Sequence, residues 1–163
     1  MKVMIFLGSE SDLDVVKDSL NIFKEFNVPF ALEVTSAHRT IERTIKLIKE
    51  AENQGTEIFV CVAGKAAHLA GVVAAHTVKP VIGVPVESNA LAGLDALLST
   101  VQMPRGVPVA TMAVGKAGGS NAALLAVEIL ALHDENLRRN LVKFREATAL
   151  EVEAASKKIQ ENL

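Results

Sequence analysis

The chain has 163 residues, half of them hydrophobic and 22% charged, which fits one compact domain with a substantial core rather than a disordered segment. Seventeen Lys and Arg against nineteen Asp and Glu leave a net charge of −2, so no basic excess exists to grip a nucleic-acid backbone, and the absence of Trp and Tyr removes the usual stacking platform for single strands. The lone Cys61 excludes an intrachain disulfide and multi-cysteine zinc sites; with no signal-peptide pattern and no bilayer-length apolar run, the expectation is a cytoplasmic protein without membrane or nucleic-acid partners.

Taken in chain order, the apolar run over residues 3–7, closed by Gly8, predicts a buried strand. Gly8-Ser9-Glu10-Ser11-Asp12 then leads into an amphipathic helix over 13–26, with Ser11 and Asp14 at capping-box-like spacing for its start. Pro29 precedes a second strand over 30–35. The polar cluster Ser36-Ala37-His38-Arg39-Thr40 leads into a helix over 41–53, with Ile41, Ile45 and Ile48 as its apolar stripe. Strand three covers 57–62 and is followed by the small-residue loop Ala63-Gly64-Lys65-Ala66-Ala67-His68 and a short helix. Strand four covers 80–84 and a helix covers 91–101. Gln102, Met103 and Pro104 open a turn before strand five at 109–114. Residues 115–120 read as a polar loop before an apolar helix over 121–132.

The tail, residues 133–163, is charged and helical, with Leu137, Leu141, Phe144 and Ala147 as an apolar stripe. Such a stripe implies a buried face without saying whether the chain's own domain or a neighbouring subunit buries it. The organisation is therefore one domain, an α/β core over 1–132 with a helical extension over 133–163. Strands alternating with helices imply a parallel sheet. Right-handed crossovers then bring every strand-to-helix loop to one edge of that sheet, the usual ligand crevice of open α/β folds.

Chemistry-bearing residues collect in those loops. Ser9 and Ser11 offer hydroxyls at a helix start suited to phosphate, and Asp12 can accept from ribose hydroxyls; helix capping is the competing role. Within five residues, Ser36-Ala37-His38-Arg39-Thr40 combines a group that titrates near neutrality, a permanent cation and two hydroxyls, against the alternative of a surface histidine beside a capping threonine. Gly64 and Ala66 let a ligand approach the backbone closely, and Lys65 adds positive charge. His68 is open to three roles: second acid/base, partner to His38, or structural histidine, the last being the commonest. His76 and His133 read as solvated. The four dispersed histidines form no metal-ligand set, so neither metal nor cofactor is expected. Cys61, inside a strand, reads as a buried small hydrophobe. Met103 and Gly118-Gly119-Ser120-Asn121 are further candidates to close the crevice, with turn chemistry as the plainer reading.

Set side by side, Gly8-Ser9-Glu10-Ser11-Asp12, Ser36-Ala37-His38-Arg39-Thr40, Ala66-Ala67-His68-Leu69, Val101-Gln102-Met103-Pro104, Val107-Pro108-Val109-Ala110-Thr111 and Asn121-Ala122-Ala123-Leu124-Leu125-Ala126 resemble the PurE family of purine biosynthesis, in the family's order, through about Leu132. The resemblance implies a flavodoxin-like, doubly wound, three-layer α/β/α fold with a long C-terminal helix. It also implies a homo-octamer with active sites at subunit contacts, assembled with that helix's help. The family has two forms. A mutase moves the carboxylate of N5-carboxyaminoimidazole ribonucleotide (N5-CAIR) from the exocyclic nitrogen to ring carbon C4, and a carboxylase joins carbon dioxide to aminoimidazole ribonucleotide (AIR). Arg39 and the Ala66-Ala67-His68 run resemble the mutase form, with the carboxylase as the alternative. A non-catalytic nucleotide-binding module is the alternative of another class. Ile41, Lys65 and Ala70 depart from the usual mutase residues proline, glycine and proline, and a basic residue at Lys65 is similar to the carboxylase form. By the resemblance, Ser9, Ser36 and Arg39 hold the 5′-phosphate and Asp12 the ribose. Ser11 stands with them, His38 is the general acid/base, the loop from Gly64 to His68, with Lys65 and Ala66, forms the carbon dioxide pocket, and Ala63 and Leu69 are further substrate-binding residues.

Overall fold

The computed structural model describes residues 1–162. One all-parallel sheet runs in the order β2-β1-β3-β4-β5. Its strands are β1 (Val3–Leu7), β2 (Phe30–Val34), β3 (Ile58–Gly64), β4 (Val81–Val86) and β5 (Ala110–Thr111). The connecting helices are α1 (Leu13–Glu25), α2 (Ile41–Asn53), α3 (Leu69–Ala74) and α4 (Leu94–Val101), and α5 (Lys116–Ala131) and α6 (Glu135–Gln160) follow β5. The chain steps from β1 outward to β2, then returns past β1 to β3. With right-handed crossovers this reversal puts α1 on one face and α2, α3 and α4 on the other, and makes the carboxyl ends of β1 and β3 the switch point of the sheet.

The strand residues divide accordingly. Met4, Phe6, Phe59 and Cys61 pack with Ile48 and Ala51 of α2 and Leu69, Ala70 and Val73 of α3 in one buried cluster, where the Phe6 and Phe59 rings stack 5.8 Å apart. Val3, Ile5, Leu7, Ile58, Val60 and Val62, the alternate residues, are equally buried. Apolar residues on both faces of β1 and β3 are what a parallel sheet covered on both sides requires. Cys61 lies fully inside, and desolvation pushes its thiol far above the ordinary range, so it behaves as a small hydrophobe.

Several boundaries differ from expectation, each for a physical reason. β3 and β4 run two residues further than the pattern implied, because Ala63 and Gly64 pair with Pro85 and Val86. β5 is only two residues long. Its ladder to β4 stops after Gly83↔Thr111 because Pro85 has no N–H to donate, although the Pro85 carbonyl still accepts from Gly115 N at 2.9 Å. α4 begins at Leu94, since Ala92 and Gly93 are both left-handed (φ +48° and +83°). The stretch expected as a loop before 121 is helical from Lys116. Gly118 and Gly119 serve close packing there: an added Cβ would lie 1.7 Å from Ala113 O and 2.2 Å from Val15 O of α1. On α2 the buried residues are Thr44, Ile48 and Ala51, while Ile41, expected in the apolar stripe, is exposed.

By compactness the chain divides into residues 1–126, which hold the sheet and its loops, and residues from Val127 on. In the second unit Asp134 Oδ1 caps α6 by accepting from Asn136 N (2.9 Å) and Leu137 N (3.1 Å). Arg145 Nη2 donates to Glu128 Oε1 at 2.6 Å. Of the expected stripe, Leu141 is buried, Leu137 and Phe144 are half-buried and Ala147 is exposed. Among the described residues no helix is long and apolar enough to cross a membrane.

Candidate active site

At the end of β1 the chain turns through one 3₁₀ turn, Glu10–Asp12, before α1. Ser9, rather than the expected Ser11, opens this turn: Ser9 Oγ accepts from Ser11 N at 3.4 Å, and Asp12 Oδ2 accepts from Ser9 N at 3.0 Å. This is a capping box shifted two residues upstream. Ser11 Oγ also donates to Ser9 Oγ at 3.0 Å and is exposed. Asp12 is only 6% exposed. Desolvation raises its carboxyl above the ordinary range, against the lowering effect of the Ser9 N–H. Asp12 and the turn are thus partly structural, and their second oxygens and hydroxyls are what a ligand would find.

The end of β2 is more tightly built. Thr35 and Thr44 are buried and bond through their hydroxyls at 2.7 Å. Thr35 Oγ1 lies 3.3 Å from Thr40 Oγ1, and Thr44 Oγ1 donates to Thr40 O at 3.1 Å. Thr40 Oγ1 in turn accepts from Ser36 N at 2.9 Å. Ser36 Oγ accepts from His38 N (3.3 Å), Arg39 N (3.2 Å) and Arg39 Nε (3.5 Å). Arg43 adds a brace from the first turn of α2, donating to Val34 O at 2.6 Å and Glu33 Oε2 at 3.0 Å. A hydroxyl ladder rooted in the buried Thr35 and Thr44 therefore fixes a short loop on which His38 and Arg39 stand exposed. Thr35 and Thr44 escaped the sequence reading because a buried threonine in an apolar stripe looks like any small residue. The available signal was Thr40 and Thr44 at i, i+4 beside Thr35.

At the end of β3, Gly64 lies so close to β4 that an added Cβ would be 3.2 Å from Val86 O. Lys65 follows in the left-handed region (φ +57°). The chain then curls tightly, Ala67 N bonding Lys65 O at 2.9 Å and His68 N bonding Ala66 O at 2.8 Å, before α3 begins at Leu69. Lys65, Ala66 and His68 are exposed, Ala63 and Gly64 half-buried. Leu69, the first residue of α3, is 2% exposed and packs in the core cluster with Phe6 and Phe59.

Three contacts join these loops. His38 Nε2 lies 2.8 Å from His68 Nδ1, with the rings edge to face and their centroids 4.9 Å apart. Arg39 Nη2 donates to Gly8 O at 3.4 Å. Gly8 N donates to Val62 O at 2.8 Å, and Gly8 packs so closely on Ala63 and Asp12 that an added Cβ would be 3.3 Å from Ala63 Cβ. Ser9, Asp12, Ser36, His38, Arg39 and His68 thus share the carboxyl edge of β1, β2 and β3. His68 is a partner of His38 rather than a histidine bonded to backbone. Met103 packs instead on α3, its Sδ 3.2 Å from where a Gly71 Cβ would be. Gly118 and Gly119 are helix-packing residues. Ser88 Oγ bonds Asp95 Oδ2 at 3.2 Å within the β4–α4 connection. Exposed His76 places Nδ1 2.8 Å from Val72 O, and His133 is exposed. Among the described residues no three His, Cys, Asp or Glu groups converge as metal ligands would.

This crevice places the chain among the open α/β proteins that take a ligand at the carboxyl ends of their strands. More particularly, residues 2–151 match the family model described as AIR carboxylase, and the chain belongs to that family. It is 50% identical over 159 residues to the N5-carboxyaminoimidazole ribonucleotide mutase of Methanocaldococcus jannaschii, covering 98% of each chain. It is 50% identical over 151 residues to the enzyme of that name from Escherichia coli, covering 93% of this chain and 89% of the other. Among solved structures it resembles Treponema denticola PurE, with a TM-score of 0.86 and 28% identity over 96% of each chain.

Proposed function

We propose that this protein is an N5-CAIR mutase of de novo purine biosynthesis, converting N5-CAIR to 4-carboxy-5-aminoimidazole ribonucleotide. The observation that carries the reading is the placement of proton-transfer group and anion clamp on adjacent residues. His38 reaches the β3 loop while Arg39 reaches the β1 loop. Arg39, Ser36 and Ser9 hold the 5′-phosphate, with Ser11 beside them, and Asp12 accepts from the ribose. In the first half-reaction the carbamate C–N bond breaks, its electron pair stays on nitrogen, and His38 supplies the proton that makes the amine. In the second, C4 of AIR attacks carbon dioxide, the new C–C bond forms, and His38 takes the C4 proton as aromaticity returns. No net proton is consumed, and the chemistry calls for neither metal nor redox cofactor. The backbone of residues 63–68, with Lys65 and His68, encloses the carbon dioxide between the two steps, so that its local concentration beside C4 stays high.

The reading includes a cytoplasmic location and a homo-octamer. Leu94, Leu98 and Val101, spaced i, i+4, i+7 on α4, support assembly, for each is about half exposed and a monomer seldom leaves such a stripe to water. Light scattering of the purified protein measures the oligomer. The reaction is tested by supplying N5-CAIR in buffer containing carbon-13 bicarbonate and following early product. Rapid formation of unlabelled product is expected. Label at the level of the buffer would replace the mutase by a carboxylase acting on free carbon dioxide, the form to which Lys65 is similar. Binding without turnover would leave a nucleotide-binding module.

A further inference from the structure

On the reading that His38 carries the proton steps, the geometry points to a second histidine acting through it: we infer that His38 and His68 form one proton-holding unit, with His68 as the positioning residue. Two ring nitrogens 2.8 Å apart must have a proton between them; two bare lone pairs or two N–H groups would repel. Both rings hang from fixed backbone. His38 N donates to Ser36 Oγ at 3.3 Å, His68 N to Ala66 O at 2.8 Å, and His68 O accepts from Val72 N at 3.0 Å. The outer nitrogens, His38 Nδ1 and His68 Nε2, have no partner among the described residues. The charged groups on the loops meeting here are Glu10, Asp12, Arg39 and Lys65, and among the described residues no carboxylate bonds either ring.

Counting protons defines what the unit can do. The neutral pair holds two, one of them shared. The singly charged pair holds three, the shared one and one on each outer nitrogen. A fourth would set two N–H groups against each other and break the contact, so the unit exchanges one proton and no more. The charged pair gives that proton to the departing nitrogen as the C–N bond breaks and is left neutral. When the C4–carbon bond forms, the C4 proton returns and restores the charge. A proton arriving at His38 Nδ1 sends the shared proton from His38 Nε2 to His68 Nδ1, so the charge moves onto His68 and away from the reacting ring. This keeps the second proton transfer downhill without a carboxylate partner.

The test compares His68→Asn, which keeps a hydrogen-bonding group near the Nδ1 position but cannot carry a proton, with His68→Leu, which removes the contact. Both are expected to lower kcat by ~10-fold or more while KM stays within about twofold, the signature of a lost proton-transfer partner. The pH profile of kcat is expected to change in both variants, which a merely structural His68 would not cause. Wild-type kcat and pH profile in His68→Asn would overturn the inference, since hydrogen bonding alone would then suffice. A raised KM at unchanged kcat would also overturn it, making His68 a substrate contact. Nitrogen-15 NMR of histidine-labelled wild-type protein gives a readout independent of variant folding: a nitrogen–nitrogen coupling across the shared proton between His38 Nε2 and His68 Nδ1 is expected, and its absence would overturn the proposal. His38→Asn separates the two levels. If it keeps substantial turnover, the function reading itself fails; if it is inactive while His68→Asn is normal, only the pairing fails.

Discussion

The loop after the edge strand β2 and the loops after β1 and β3 are built on opposite terms. After β2, hydroxyls and backbone groups satisfy one another from Thr44 up to Ser36, no described residue of the loop has positive φ, and the charged or titratable side chains left exposed are His38 and Arg39. In each of the other two loops a charged residue is held at a cost. Asp12 is a buried carboxyl that desolvation makes reluctant to ionise. Lys65 is a non-glycine residue in the left-handed region, exposed and without an ion pair among the described residues. The contrast separates two ways of making a site: a relaxed, braced platform for the groups that transfer protons and clamp anions, and strained walls whose residues local stability would not choose.

If the platform is relaxed, its exposed residues should be replaceable with loss of function and little change in stability. His38→Asn is expected to lower turnover by 10²–10⁴-fold, the usual range for general acid/base groups, while substrate binding and Tm stay near wild type. Single-turnover kinetics and calorimetric titration measure the two halves; retained turnover would remove His38 from the proton steps. Arg39→Ala loses a charge-assisted contact of about 1.5–3 kcal/mol and is expected to raise the dissociation constant for phosphorylated substrate by ~10- to 100-fold. An unchanged dissociation constant would take the phosphate away from Arg39.

The sheet and the position of its crevice were legible because runs such as 3–7 and 58–62 are apolar on both faces and right-handed crossovers bring every strand-to-helix loop to one edge. The adjacency of Ser36, His38, Arg39 and Ser9 followed from topology alone. What stayed hidden depends on partners distant in sequence. That His38 meets His68 rather than solvent rests on the 2.8 Å contact across two loops. That β5 stops at Thr111 rests on a missing N–H in Pro85 of its neighbour. That Gly118 and Gly119 are helical rests on how closely Ala113 and Val15 approach. Local sequence records none of these, and glycine pairs and threonines read as loops or neutral fillers until the neighbour is known.

On the strained side the expected sign is the reverse. Asp12→Asn keeps an acceptor for Ser9 N but removes the charge that burial disfavours, so the variant is expected to be the more stable protein at neutral pH and the weaker binder of the ribose. The pH dependence fixes the cause. The folded-state carboxyl lies above its ordinary value of 3.8, so the wild type is favoured when that group is protonated and loses this stability as pH rises through the raised value. The advantage of the variant should therefore vanish below the ordinary Asp range and be complete at neutrality. Denaturant unfolding at both pH values measures it, and an advantage independent of pH would put the effect in packing instead.

Lys65→Gly is the smallest of these effects and separates strain from use most cleanly. A left-handed L-residue costs roughly 1–2 kcal/mol, and glycine gives back about 0.5–1 kcal/mol through the greater freedom of its unfolded chain. The net expectation is a stabilisation of about 0.5–1 kcal/mol, a Tm rise of roughly 1–4 °C for a chain of this length. Kinetics then decide what the strain is for. If the Lys65 ammonium holds the carboxylate in transit, the stabilised variant turns over more slowly and releases more carbon dioxide to the buffer, which appears as carbon-13 in the product where the wild type shows none. If kinetics and labelling are unchanged, Lys65 is incidental to the reaction, and the strain at the β3 loop is a feature of the backbone path that glycine would follow as well.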